Sequence, residues 1–381
     1  MCNCIPLGFA ALVATLLGNG AVSSQPGQPA KYAVIEPGDA SFSQVRFSPN
    51  GERLSYVTIG EPGEWIATWD VKSKQQLKRV HKAESSIGDF AYSPDGRLFA
   101  VSDGRSVYHI DVENGERTRL YLHEGDKERF RSEVRCIRYS REGNRIVSAD
   151  DHGVLKVWDV EKKAVTAEIR CVRKGGVMDL ILLPGTDQAL VFVSEWILDP
   201  DKPDAVPATE YKELRVDLKG GTVKPVTDPE PLVRYASFYQ GADVSADGKL
   251  LGLPGRGIRI LNTATLKTEL DLKCPLESVA CRFSDSGRLL FVGGSKKGVL
   301  PLVGPPPHGE MAILDRATNK WVSRIRVLDQ EVSSMAFSPK HNLLAVASGK
   351  GGTAITIWDL SPATLNLPKE MKDKRPDEKR P

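Results

Sequence analysis

The feature that most limits how this 381-residue chain can fold is a short turn motif that returns seven times. It reads Phe47-Ser48-Pro49-Asn50-Gly51, then Tyr92-Ser93-Pro94-Asp95-Gly96, then Tyr139-Ser140-Arg141-Glu142-Gly143. A degenerate copy at Leu183-Pro184-Gly185 precedes Val244-Ser245-Ala246-Asp247-Gly248, Phe283-Ser284-Asp285-Ser286-Gly287 and Phe337-Ser338-Pro339-Lys340-His341. These residues suit a tight turn. Pro presets φ, Asn or Asp bonds its own backbone, and Gly accepts positive φ.

Each turn is followed by a segment ending in an acid or amide: Trp69-Asp70, Ile110-Asp111, Trp158-Asp159, Val216-Asp217, Leu261-Asn262, Leu314-Asp315 and Trp358-Asp359. Successive ends lie 41, 48, 58, 45, 53 and 44 residues apart. The flanking runs carry the β-branched and aromatic residues of pleated strands. Four-stranded propeller blades recur at about 40–45 residues, so the expected fold is all-β, a seven-bladed β-propeller of four-stranded antiparallel blades. One ring replaces the two or three domains that length alone suggests.

On these residues the chain resembles the WD40-repeat family. The best copy is the third unit, Val134 to Gly143 followed by Ile146 to Asp159; the seventh, Val332 to Asp359, is nearly as good. The resemblance runs from Phe42 to Leu360. It implies that Trp69, Trp158 and Trp358 are architectural and pack one blade on the next. Members of the family often hold a buried, hydrogen-bonded set of His, Ser or Thr, Asp and Trp. Ser148, Asp151 and Trp158 are the expected members here, and no His stands near Phe130, so the set is expected to be incomplete in every unit. The sixth unit, Ile313 to Lys320, is also similar to propellers of the lactonase-like and surface-layer type.

No fourth strand follows Asp359, whereas Lys31 to Glu36 has strand composition and precedes the first unit. The expectation is that this N-terminal strand closes the ring against residues 353–359 and removes the open edges of a linear array. The propeller then occupies residues 31–361. Residues 1–23 read as a signal peptide, because Ile5 to Leu17 is apolar and Ala21 and Ser23 suit a cleavage site. Residues 24–30 read as a linker and 362–381 as a charged, disordered tail. Export to the periplasm or outside the cell is expected, with a cytoplasmic protein as the alternative if the leader is not processed.

With 52 Lys and Arg against 49 Asp and Glu, the net charge is only +3, which argues against a nucleic-acid binder. No apolar run reaches the ~20 residues of a membrane span. The four cysteines after the leader, Cys136, Cys171, Cys274 and Cys281, form no CxxC pair, so no metal site is expected. No cofactor is expected either, and a monomeric propeller is.

Because strands alternate direction, the turns between strands one and two and between three and four emerge on one face. Those turns are short throughout. The long segments, Gly60 to Glu64, His123 to Glu133, Ser194 to Lys212, Thr227 to Gln240 and Gly294 to Gly309, all belong to the opposite face. Loops on a rigid scaffold carry binding residues. Arg234, Tyr235, Phe238 and Tyr239 form the expected partner-binding patch, since Tyr and Arg are enriched at interfaces. Trp196, in an acidic segment, is a further anchor candidate or packs under its own loop.

The chain lacks G-x-S-x-G, HExxH, P-loop and Rossmann patterns. Expected is a non-catalytic scaffold that binds a protein or peptide on its long-loop face. The alternative is a lactonase-like or other propeller hydrolase with its site at the channel mouth.

Overall fold

Runs such as Leu343-Leu344-Ala345-Val346-Ala347-Ser348 are apolar with no polar face, and they form strands buried on both sides. Runs such as Ala164 to Arg170 alternate and form largely exposed strands. This gradient sets the order within every sheet, with apolar strands inside and polar ones at the rim. The computed structural model describes residues 29–36, 41–60, 63–123, 132–197, 207–226, 241–255, 257–296, 308–348 and 354–361.

Strand β1 (Ala30–Ile35) comes first, then blade one: β2 (Ser41–Phe47), β3 (Arg53–Gly60), β4 (Gly63–Asp70) and β5 (Gln75–Lys82). Blade two is β6 (Ile87–Tyr92), β7 (Leu98–Asp103), β8 (Ser106–Asp111) and β9 (Arg117–Leu122). Blade three is β10 (Val134–Tyr139), β11 (Arg145–Asp150), β12 (Val154–Asp159) and β13 (Ala164–Arg170). Blade four is β14 (Gly175–Leu182), β15 (Gln188–Ile197), β16 (Ala208–Asp217) and β17 (Val223–Pro225). Blade five is β18 (Asp243–Val244), β19 (Leu250–Pro254), β20 (Gly257–Asn262) and β21 (Thr268–Lys273). Blade six is β22 (Leu276–Phe283), β23 (Leu289–Lys296), β24 (Gly309–Asp315) and β25 (Lys320–Leu328). Blade seven is β26 (Val332–Ser338), β27 (Leu343–Ser348) and β28 (Ile355–Asp359), and β1 completes it.

The seven sheets are antiparallel with four strands each. β1 pairs β28 in the register Ala30↔Asp359 to Ile35↔Ile355, so the first strand closes the ring as expected from sequence. Tyr32 Oη donates to the Val71 carbonyl of blade one at 2.9 Å, and Lys74 Nζ returns a bond to the Tyr32 carbonyl at 3.1 Å. The seam between last and first blade is therefore held by side chains as well as by the ladder.

The recurring turns adopt the expected geometry. Gly51, Gly96, Gly143, Gly185, Gly248 and Gly287 lie at φ near +70°, and Asn342 takes the left-handed position in blade seven. First strands of neighbouring blades meet one another and ring the axis. Gly88 of β6 comes so close to the Val134 carbonyl of β10 that a Cβ would sit 2.1 Å away, so no larger residue fits that junction.

The core consists of clusters shared between neighbouring blades. Trp69 (4% exposed) lies with Phe42 and Tyr56 against Leu343, Ala345 and Ile357 of blade seven. Trp158 joins Ile137 and Ile146 to Ala100 and Val107 of blade two, and Trp358 joins β28 to Met311 and Ile313 of blade six. Residues 1–23, residues 24–28 of the linker and residues 362–381 lie outside the described residues, as do Arg234, Tyr235, Phe238 and Tyr239. No helix among the described residues is long and apolar enough to cross a membrane.

Candidate functional site

In blade three the buried hydrogen-bonded set is complete, which corrects the sequence reading. His123 Nδ1 lies 3.0 Å from Asp150 Oδ2, and His123 Nε2 lies 3.1 Å from Ser148 Oγ. Trp158 Nε1 donates to the same Ser148 Oγ at 3.3 Å. The acid is Asp150, at the end of β11, and not Asp151. Asp151 is one residue further on, where its carboxylate accepts the Glu133 N–H at 2.9 Å instead. Sequence spacing hides His123, because it sits directly behind β9 and far ahead of β10. Burial alone would raise the Asp150 carboxyl, but bonds from His123, the Val154 N–H and Ser132 outweigh it and hold it below the usual range. One chain of hydrogen bonds thus runs from Trp158 through Ser148 and His123 to Asp150.

Blade two keeps only half of this arrangement. His81 Nε2 lies 3.4 Å from Asp103, but Val101 and Ile110 stand where blade three has Ser148 and Trp158. In blade seven, Trp358 Nε1 donates to Thr356 Oγ1 at 3.0 Å. These sets are frame, and they fix the blades that carry the connections.

Around the axis the first strands carry a chain of charges. Arg46 of blade one meets Asp89 of blade two at 2.7 Å, Asp89 meets Arg138 of blade three at 2.5 Å, and Arg138 meets Asp179 of blade four at 2.6 Å. Burial would raise Asp89, yet Arg46 and Arg138 together hold it below its ordinary value. Asp179 has Arg138 alone, and there burial prevails and pushes the carboxyl up to about 6. In blade six, Arg282 donates to the Gly241 carbonyl of the preceding blade, while Asp243 accepts the Phe283 N–H at 2.7 Å. Sequence reasoning missed this ring, since the six residues belong to six different repeats and only the closed fold brings them together.

This ring bears on chemistry at the centre. The carboxylates Asp89 and Asp179 are engaged by guanidinium groups. No group of three or more His, Cys, Asp or Glu side chains is placed to hold a metal among the described residues. Cys136 and Cys281 are buried, and burial pushes the Cys171 thiol up to about 12. His109 is a core residue, with Tyr139 Oη 2.8 Å from its Nε2 and the two rings stacked.

The strand ends that bear the long connections lie on one face, as expected, but one of these segments is strand at both its ends. Ser194 to Lys212 is the outer part of the β15–β16 hairpin, paired from Ser194↔Tyr211 to Ile197↔Ala208. Trp196 stands in this ladder opposite Thr209 and is 47% exposed. The opposite face is less plain than the sequence suggests. Between blades three, four and five it holds a cleft of about 650 Å³, lined by Ser140, Asn144, Thr186, Gln188 and Ser245 among others.

A propeller of seven four-stranded blades with a His–Ser–Asp–Trp set belongs to the WD40 class. Residues 123–159 and 323–359 match the family model described as "WD domain, G-beta repeat", so these two stretches of the seven-bladed propeller are WD40 repeats. The first matched stretch begins at His123 and ends at Asp159, so it contains the whole buried set. The chain is also distantly similar to Protein LST8 homolog of Drosophila melanogaster, at 22% identity over 126 residues, 32% of this chain and 40% of that protein. It is 23% identical to Target of rapamycin complex subunit wat1 of Schizosaccharomyces pombe over 125 residues, 33% of this chain and 38% of that protein. The matches thus span less than half the length of either curated relative.

Proposed function

We propose that this propeller is a non-catalytic scaffold that binds a protein or peptide partner on its long-loop face. The observation that carries this reading is the sorting of connections. The strand ends that flank residues 124–131, 198–206, 227–240 and 297–307 all lie on one face, while the turns between strands on the opposite face are short. Long loops on a rigid ring are built for contact. The two WD40 repeats and a relative whose name makes it a complex subunit support a protein partner. The arginine-bound carboxylates at the axis favour a scaffold over a hydrolase, whose acid or base needs access to substrate.

Arg234, Tyr235, Phe238 and Tyr239 are the proposed contact patch, with Trp196 as a further anchor. The test is affinity capture with the intact protein and with the Arg234→Ala, Tyr239→Ala double variant. Partner recovery should fall sharply in the variant; equal recovery removes this patch. The N-terminal 23 residues are proposed to be an export leader. N-terminal sequencing of the mature protein checks this, with a start near Ser24 expected and an intact Met1 against it.

A further inference from the structure

The third strand of blade four is ten residues long, but its outer neighbour β17 pairs with only Leu214, Arg215 and Val216. One more bond, from the Val226 N–H to the Glu213 carbonyl, extends that contact. Elsewhere the cover is nearly complete: β13 pairs all of β12, β25 all of β24 and β1 all of β28. Among the described residues, no strand lies along β16 from Ala208 to Lys212.

Strand parity says which groups face that open side. The Asp217 N–H and Glu213 carbonyl both point to the outer neighbour, so the odd-numbered residues do. Thr209 and Tyr211 therefore each direct an N–H and a C=O away from β15. Unpaired strand edges of this kind are templates for an added strand. Natural edges are usually blunted by Pro, bulges or inward charges. Residues 208–212 hold no Pro, and their register with β15 is unbroken.

The two faces of this hairpin differ. Trp196 and Tyr211 share one face and are 47% and 37% exposed. The other face carries Glu195 and Glu210 around Lys212, at 2.7 and 3.1 Å, leaving one net negative charge. The chain after β17 is a poor filler, since it would bring Asp228 and Glu230 to an acidic hairpin.

We infer that the outer edge of β16 is a strand-addition site. Its occupant is an extended segment of a partner protein, with aromatic or aliphatic residues alternating with Lys or Arg. Backbone bonds to Thr209 and Tyr211 fix the register. The apolar side chains lie over Tyr211 and Trp196, and the basic ones face Glu195 and Glu210. This rests on the reading of the propeller as a protein-binding scaffold and locates one of its contacts.

The experiment has two parts, both on the full chain. In the free protein, the Thr209 and Tyr211 amides should exchange hydrogen at least tenfold faster than those of Val191 and Val193. Equal protection would mean that the chain's own residues cover the edge, which overturns the proposal. Phage-displayed decapeptides selected on the protein should then alternate apolar and basic residues. They should bind Thr209→Pro at least tenfold more weakly, a variant that removes one outward N–H and no β15 ladder bond. Glu210→Lys, an exposed charge reversal that leaves the ladder intact, should weaken the same peptides severalfold. No enrichment, or peptides that bind both variants as tightly as wild type, overturns the edge site. Peptides insensitive to both variants but lost in the Arg234→Ala, Tyr239→Ala protein would overturn this edge while leaving the scaffold reading standing.

Discussion

His123 Nε2 lies 3.1 Å from Ser148 Oγ, so a residue from the connection out of blade two locks onto the second strand of blade three. Removing the imidazole leaves Ser148 and Asp150 buried with fewer partners. His123→Ala is expected to cost about 1–3 kcal/mol, the usual penalty for stranding a buried polar group. Urea unfolding measures it; an unchanged midpoint would mean that the set does not stabilise the blade.

The charges on the inner strands make a comparative prediction. Asp89 serves two arginines and Asp179 serves one. Asp89→Asn should therefore destabilise by about 3–5 kcal/mol, as breaking a buried ion pair does. Asp179→Asn should cost clearly less, because that carboxylate is already disfavoured by burial. Equal losses in the two variants would contradict the assigned pairing.

His109 gives a pH signature. Burial, with Lys163 nearby, lowers its pKa from 6.5 to about 4. Above pH 6.5 it is neutral in both folded and unfolded chains. Between pH 6.5 and about 4 the unfolded chain binds a proton that the folded one refuses, so stability falls as pH falls. At 1.36 kcal/mol per pK unit this contribution reaches about 3 kcal/mol. The difference in unfolding free energy between wild type and His109→Phe should change across that window and flatten below pH 4. A difference independent of pH would refute it.

Closure of the ring is tested by deleting residues 29–36. Without β1 the outer edge of β28 is open and the Tyr32–Val71 and Lys74–Tyr32 bonds are gone. The truncated chain should melt at least several degrees lower and aggregate more readily, as exposed edges do. An unchanged melting temperature would contradict the closure.

What was legible in the sequence was periodic. Turns such as Ser93-Pro94-Asp95-Gly96 and ends such as Trp158-Asp159 act locally, through φ preferences and strand alternation, so they survive as text. The Arg46–Asp89–Arg138–Asp179 chain is not local: its members lie 43, 49 and 41 residues apart and meet only when the ring closes. His123 was hidden by an insertion that changed its distance to β10 but not to β9. The Ser194 to Lys212 segment looked like loop because of its acids and prolines, while Thr209 and Tyr211 continued the ladder past the blade rim.

The central claim is that a partner docks on the long-loop face, and lysine cross-linking of the captured complex tests it most directly. Lys82 and Lys174 lie at the end of β5 and just ahead of β14, on that face. Lys72, Lys163, Lys219 and Lys340 sit in the turns of the other. Cross-links to the partner concentrated at Lys82, Lys174 and Lys212 are the expected result. Cross-links confined to Lys72, Lys163, Lys219 and Lys340 would contradict the account and move the interface to the short-turn face.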